Sequence, residues 1–137
     1  MFFSETAIKV RYAETDQMGI AHHSNYAVWF EAGRTDFIGN MGMPYSKIEE
    51  SGAMLPLLEL RCSFKSFARY EDELVVKTWI KEHTGTRLVF HYDICKADGR
   101  VITEGETMHV WTNKDLKPVN IRKYRPEIYK LIEEACT

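Results

Sequence analysis

What this chain lacks narrows its reading first. Cysteine is scarce: only Cys62, Cys95 and Cys136 occur in 137 residues. They are far apart and odd in number, so neither a disulfide framework nor a cysteine-based metal site is expected. A reducing compartment, the cytoplasm, fits them. An excess of one charge is also missing, with a formal net charge of −2. That removes the electrostatic case for a nucleic-acid binder or a polybasic membrane patch. No run approaches the roughly 18 apolar residues a membrane span needs, so no integral membrane segment is expected. Met1 to Lys9 has no basic stretch followed by an apolar one, which argues against a signal peptide. There is no G-x-S-x-G elbow, no P-loop and no dinucleotide glycine pattern.

What is there is ordinary for a soluble globular protein: 45% hydrophobic and 28% charged residues. One domain over residues 1–137 is expected, burying roughly two-thirds of its unfolded surface. Glu5 to Tyr12 alternates as a half-buried strand. Ala13 to His22 is a loop containing Gly19. Ser24 or Asn25 is placed to cap a helix running to about Gly39, with a short second helix from Pro44 to Ser51. Alternation then predicts strands over Met54–Lys65, Glu73–Glu82, Arg87–Lys96 and Arg100–Asn113, with an Asp98-Gly99 hairpin. Pro126 opens an amphipathic final helix. Consecutive strands on short connections pair antiparallel, and no helix crosses between the later ones. The fold class is therefore α+β, a meander wrapping one long helix.

The segment Tyr12 to Arg34 carries the chemistry. A strand ends in a loop with a carboxylate, a glycine and two imidazoles, and the loop runs into a helix N-terminus. Backbone N–H groups there point outward with partial positive charge. Asp16 can serve as general base or nucleophile; it also fits a loop aspartate that accepts backbone N–H bonds. His23 stands at the helix entry, where its side chain or its N–H can meet a carbonyl. His22 beside it points elsewhere, and adjacent histidines make a poor metal chelate, so no metal site is expected. Tyr12 can orient Asp16 or line a pocket. Gly19 supplies positive φ or a close backbone approach, and Asn25 caps the helix or bonds the loop. Glu31 and Arg34 stand i, i+3 and are expected to form a structural ion pair.

Tyr12, Thr15-Asp16, Gly19, His23, Asn25-Tyr26, Phe30-Glu31 and Arg34 together resemble the hotdog-fold thioesterases. The likeness is to the 4-hydroxybenzoyl-CoA thioesterase-like branch, including the Tol–Pal-associated acyl-CoA thioesterases. Tyr70-Glu71-Asp72-Glu73-Leu74 and His109-Val110-Trp111 fit the same pattern. The resemblance implies an antiparallel sheet of five or more strands wrapped around a long helix. It implies a homodimer or homotetramer with sheets joined edge to edge and the site at the subunit interface. Asp16 would be the catalytic carboxylate, with Tyr12 and His23 completing the site. Gly19, Asn25 and Tyr26 would meet the substrate. The N–H near His23 would hold the thioester oxygen. The substrate would be an acyl-CoA, or an acyl group on a carrier protein, and no metal or redox cofactor is required. The imidazoles at His22 and His23 depart from the aromatic-substrate members and favour an aliphatic acyl group. A glutamate on the central helix serves a second branch of the fold, which leaves Glu31 a secondary candidate. A non-catalytic acyl-CoA binder on the same fold is the alternative of a different class.

Overall fold

Strict alternation in the second half of the chain sets the architecture. The computed structural model describes residues 1–137. In chain order its elements are β1 (Phe3–Lys9), α1 (Ser24–Met41), α2 (Tyr45–Glu50), β2 (Leu57–Phe64), β3 (Glu73–His83), β4 (Arg87–Lys96), β5 (Val101–Val110), α3 (Ile121–Tyr124) and α4 (Pro126–Cys136). One face of β3 buries Leu74, Val76, Thr78 and Ile80, and β4 buries Leu88, Phe90, Tyr92 and Ile94. All pairings in the five-stranded sheet are antiparallel. This is the expected α+β hotdog arrangement, with α1 seated on the sheet.

The packing of α1 depends on two missing Cβ atoms. A Cβ at Gly33 would stand 2.6 Å from Thr78 Oγ1 and 2.8 Å from Val76 Cγ1. Its absence lets the helix close onto β3. A Cβ at Gly105 would stand 2.2 Å from the Phe30 ring. The gap it leaves takes that ring, which stacks on Tyr92 at 4.5 Å. Phe37 and Ile38 extend the same buried face. At the far end of the chain Ile128, Ile132 and Ala135 bury one side of α4. The Arg125 guanidinium donates to the Ser51 carbonyl and ties that end to the end of α2.

Three expectations are corrected. The first strand starts earlier, at Phe3, and ends at Lys9, so Tyr12 opens the 3-10 turn Tyr12–Glu14 instead of closing the strand. The Glu14 carboxylate accepts the Arg11 N–H at 2.8 Å, which curls the chain out of the sheet. The strands do not form a simple meander, since the order is β1-β3-β4-β5-β2. Reaching β3 from β2 means crossing three strand spacings, ~14 Å, which the segment 65–72 spans easily. Along the way it bonds β5 (Lys65 N–H to Ile102 O), the site loop (Ala21 N–H to Ala68 O) and the end of β1 (Glu71 N–H to Val10 O). Finally, Glu31 and Arg34 form no ion pair, and Arg34 donates instead to the buried Tyr92 hydroxyl at 3.1 Å. A buried phenol one turn of packing away outcompetes a solvated carboxylate on the helix surface.

β2 is left as an edge strand. Leu60, Cys62 and Phe64 share its helix-facing side. Leu60 remains 39% exposed and Phe64 47%, because α1 lies mainly over β1, β3 and β4 and reaches this edge only where Tyr26 packs on Phe64.

Candidate active site

The loop before α1 is a tight device. Thr15 bridges Ala21, the Asp16 N–H donates to Ile20 O, and the Gly19 N–H donates to Asp16 O. Gly19 closes it with φ of +79°, a conformation that side chains rarely adopt. Asp16 Oδ1 accepts the Met18 N–H at 2.9 Å, as turn aspartates do. Its other carboxylate oxygen has no protein partner.

Asn25 holds this loop to the helix rather than capping it. Its amide donates to Glu14 O at 2.8 Å and to His22 O at 3.0 Å. Both donors are thereby committed, and Asn25 lines neither cleft described below. His22 Nδ1 accepts the Ser24 N–H at 3.2 Å, so it serves the helix end, its ring packed on His23 at 4.0 Å. His23 is the residue before the first turn, and its side chain caps nothing. Its backbone N–H donates to no group of the protein. The first turn of α1 carries no acidic side chain either. No acidic side chain of the helix itself therefore offsets the positive end of these 18 residues.

Asp16 stands on the wall between two clefts. One is open, about 770 Å³, and lined by Tyr12, Ala13, Thr15, Gln17, Gly19 and Tyr70 besides Asp16. Tyr12 and Tyr70 meet edge to face across it at 5.6 Å, and Tyr12 is largely exposed. The other is an apolar groove of about 290 Å³ formed by Met18, Ile20, Ala21, His23, Tyr26, Phe64 and Phe67. Tyr26 is buried, with Phe64 packed against it edge to face at 4.8 Å. Burial pushes the Tyr26 phenol up, which keeps it neutral. Of the residues expected from the sequence, Tyr12 and Gly19 therefore face one cleft, His23 and Tyr26 the other, and Asp16 both.

Two contributions are not read from the local sequence. Phe64, Phe67 and Tyr70 come from the end of β2 and the crossing segment. Glu14 is buried, and Oε2 accepts the Trp29 indole N–H at 3.1 Å. Burial pushes this carboxyl up, but the Arg11 N–H, the Trp29 N–H and the Arg11 guanidinium outweigh it, and the net shift is downward. A glutamate three residues after Arg11, at the start of a turn, is the signal that points to it. No group of three or more metal-ligating side chains is present.

With this geometry in place, the likeness to known proteins is specific. A family model described as the thioesterase-like superfamily matches residues 10–128. A Bacillus subtilis (strain 168) protein with the provisional name acyl-CoA thioesterase YneP is 38% identical over 98% of this chain and 99% of its own length. The acyl-acyl carrier protein thioesterase ATL3 of Arabidopsis thaliana is 32% identical over 87% of this chain and 63% of its own. Among solved structures, the DHNA-CoA thioesterase of Staphylococcus aureus superposes with a TM-score of 0.93 at 35% identity, covering 98% of this chain and 91% of that one.

Proposed function

This chain belongs to the thioesterase-like superfamily, and from that we propose that it hydrolyses acyl-CoA thioesters at Asp16. The observation that carries the reading is the position of that carboxylate, between an open cleft and an apolar groove, beside a helix end with an unspent N–H. The acyl group enters the groove of Tyr26, Phe64 and Phe67, and the pantetheine arm leaves through the open cleft past Tyr12. The His23 N–H and the helix dipole polarise the thioester carbonyl. Asp16 activates water or attacks the carbonyl carbon itself, with its second oxygen free for either task. A thiolate is a good leaving group, since a free thiol has a pKa of roughly 8.5, so no strong general acid is required.

The imidazoles at the loop favour an aliphatic acyl group. A second reading, an aryl acyl group, is favoured by the aromatic rings of the groove wall. The S. aureus relative is named for such a substrate. We also infer a homodimer, formed by pairing β2 edge to edge and burying Leu60 and Phe64, whose rim then adjoins the partner's groove. Residues 1–137 act as one catalytic unit. The free thiols of Cys62, Cys95 and Cys136 support a cytoplasmic location. No helix is long and apolar enough to cross a membrane.

The deciding experiment is single-turnover thiol release from aliphatic acyl-CoAs, aryl-CoAs and acyl-carrier protein, by wild type and Asp16→Asn. Loss of at least ~100-fold in the variant is expected. Equal rates would remove Asp16 from the chemistry. Saturable binding with the thioester left intact would make the protein a binding module.

A further inference from the structure

His83 ends β3, and its side chain is only 1% exposed. It takes no part in the chemistry at Asp16. Its Nε2 meets the Trp111 indole nitrogen at 3.3 Å. An indole nitrogen only donates, so Nε2 accepts, and the hydrogen of the neutral ring sits on Nδ1. Nδ1 is buried without a hydrogen-bond partner. It faces Glu133 Oε1 of α4 at 3.9 Å, too far for a hydrogen bond.

Glu133 is the one charge turned toward this ring. Tyr129 of α4 lies 5.4 Å from it, and the Glu133 carboxylate pushes that phenol up, so it stays neutral. Burial, with Glu133 adding to it, pushes the Cys136 thiol of the same helix up. On α3, Arg122 stands over the Tyr129 ring at 5.7 Å. On β3, Lys81 is committed to Glu106 at 2.7 Å, and Glu82 is exposed, as is Arg87 at the start of β4.

Trp111 and Glu133 make opposite demands on the ring. The indole requires a bare Nε2, whereas the carboxylate favours an imidazolium. Burial pushes His83 down against the pull of Glu133, so the neutral form wins. The helix that rests on this ring has 11 residues, a length that is marginal without tertiary contacts. It also closes over the end of α1, where Leu131 Cδ2 lies 3.3 Å from the place a Cβ would take at Gly42.

We propose that His83 is a proton-operated latch for the C-terminal helix α4. With Nε2 bare, the ring accepts the Trp111 N–H and backs the helix through Tyr129. A proton on Nε2 sets two donors against each other, displaces the ring and loosens α4. Since His83 charges more readily once α4 is released, docking is fully present above the ordinary value of 6.5 and declines as pH falls below it. The latch stands apart from the reading of Asp16.

The test is amide hydrogen exchange of the full-length protein between about pH 5 and 7.5, each rate divided by the intrinsic rate at that pH. Protection of the α4 amides should fall below pH ~6.5 by up to tenfold per unit, the limit for one proton. The amides of Phe90 and Tyr92 in β4 report global unfolding and should stay more protected than α4 throughout. His83→Gln keeps an acceptor for the Trp111 N–H and cannot titrate, so α4 protection should become level while any slope in β4 remains. Glu133→Gln removes the one compensating charge, so it should deepen the loss at the acid end and leave protection near neutral pH unchanged. Glu133 is 49% exposed, so this variant decides the matter if His83→Gln does not fold. A merely structural Glu133 would shift protection equally at every pH. Level α4 protection in wild type, a wild-type slope retained in His83→Gln, or a smaller acid loss in Glu133→Gln would each overturn the proposal.

Discussion

The Glu14 carboxylate and the Trp29 indole N–H, 3.1 Å apart, join the site loop to the buried face of α1. Because Glu14 also accepts the Arg11 N–H, one side chain fixes the turn before Asp16 and the helix after it. Glu14→Ala should therefore cost ~1–3 kcal/mol in stability, the price of leaving buried donors unpaired, and lower kcat through a loosened loop. Since its folded pKa is lowered, its contribution is present above the ordinary carboxyl value of 4.5 and is lost as pH falls below it. Denaturant midpoints of wild type and Glu14→Gln should converge as pH drops through that region.

His109 supplies an acid-sensitive element of a different kind. In the unfolded chain it takes up a proton near the ordinary value of 6.5, whereas the folded chain resists until about 4. Stability from this group is fully present above 6.5 and declines as pH falls from there to about 4. His109→Gln should flatten the stability–pH curve over that window. A variant curve as steep as that of wild type between those two values would show that His109 is not the group titrating.

Gly105 and Phe30 are coupled by space alone. Gly105→Ala puts a methyl inside the volume of the Phe30 ring, and overpacking of this kind costs ~1–3 kcal/mol or more. The double variant Gly105→Ala with Phe30→Leu should recover part of that loss. Thermal denaturation of the four members of this cycle would show non-additivity, as residues in contact do.

The free edge of β2 makes a testable commitment about assembly. Leu60→Lys places a charge on the helix-facing side of that edge, where a dimer would bury it. The protein should remain folded, since Leu60 is 39% exposed in the single chain, and should run as a monomer in sedimentation. Hydrolysis should fall with dimerisation if the partner completes the groove.

Legibility from sequence divides along the range of the interactions. β4 falls at Arg87–Lys96 as alternation predicts, because both its neighbours are reached by short turns. The loop from Thr15 to His23 and the helix after it are likewise local, so Asp16 and His23 could be placed beside one another before any fold was known. Phe64, Phe67 and Tyr70 could not be placed there. Their position depends on β2 pairing with β5 and on the crossing of residues 65–72, which no local pattern encodes. Arg34 failed for the same reason: the i, i+3 rule offers Glu31, and the hydroxyl it meets lies on Tyr92, 58 positions away.

The sharpest prediction concerns one backbone N–H. His23 has φ of −59°, close to the value proline imposes, and its N–H bonds nothing in the protein. Proline is therefore tolerated there, and its ring adds only a restraint on His22, which lies outside the helix. His23→Ala removes the imidazole alone; His23→Pro removes the imidazole and the donor. Similar melting temperatures are expected for the two. If this N–H holds the developing oxyanion, kcat of the proline variant should lie ~10²–10³ below that of the alanine variant, the range for losing one oxyanion donor. A fall already complete in His23→Ala would place the catalytic contribution in the imidazole instead. Equal, undiminished rates in both would move the oxyanion contact away from the start of α1.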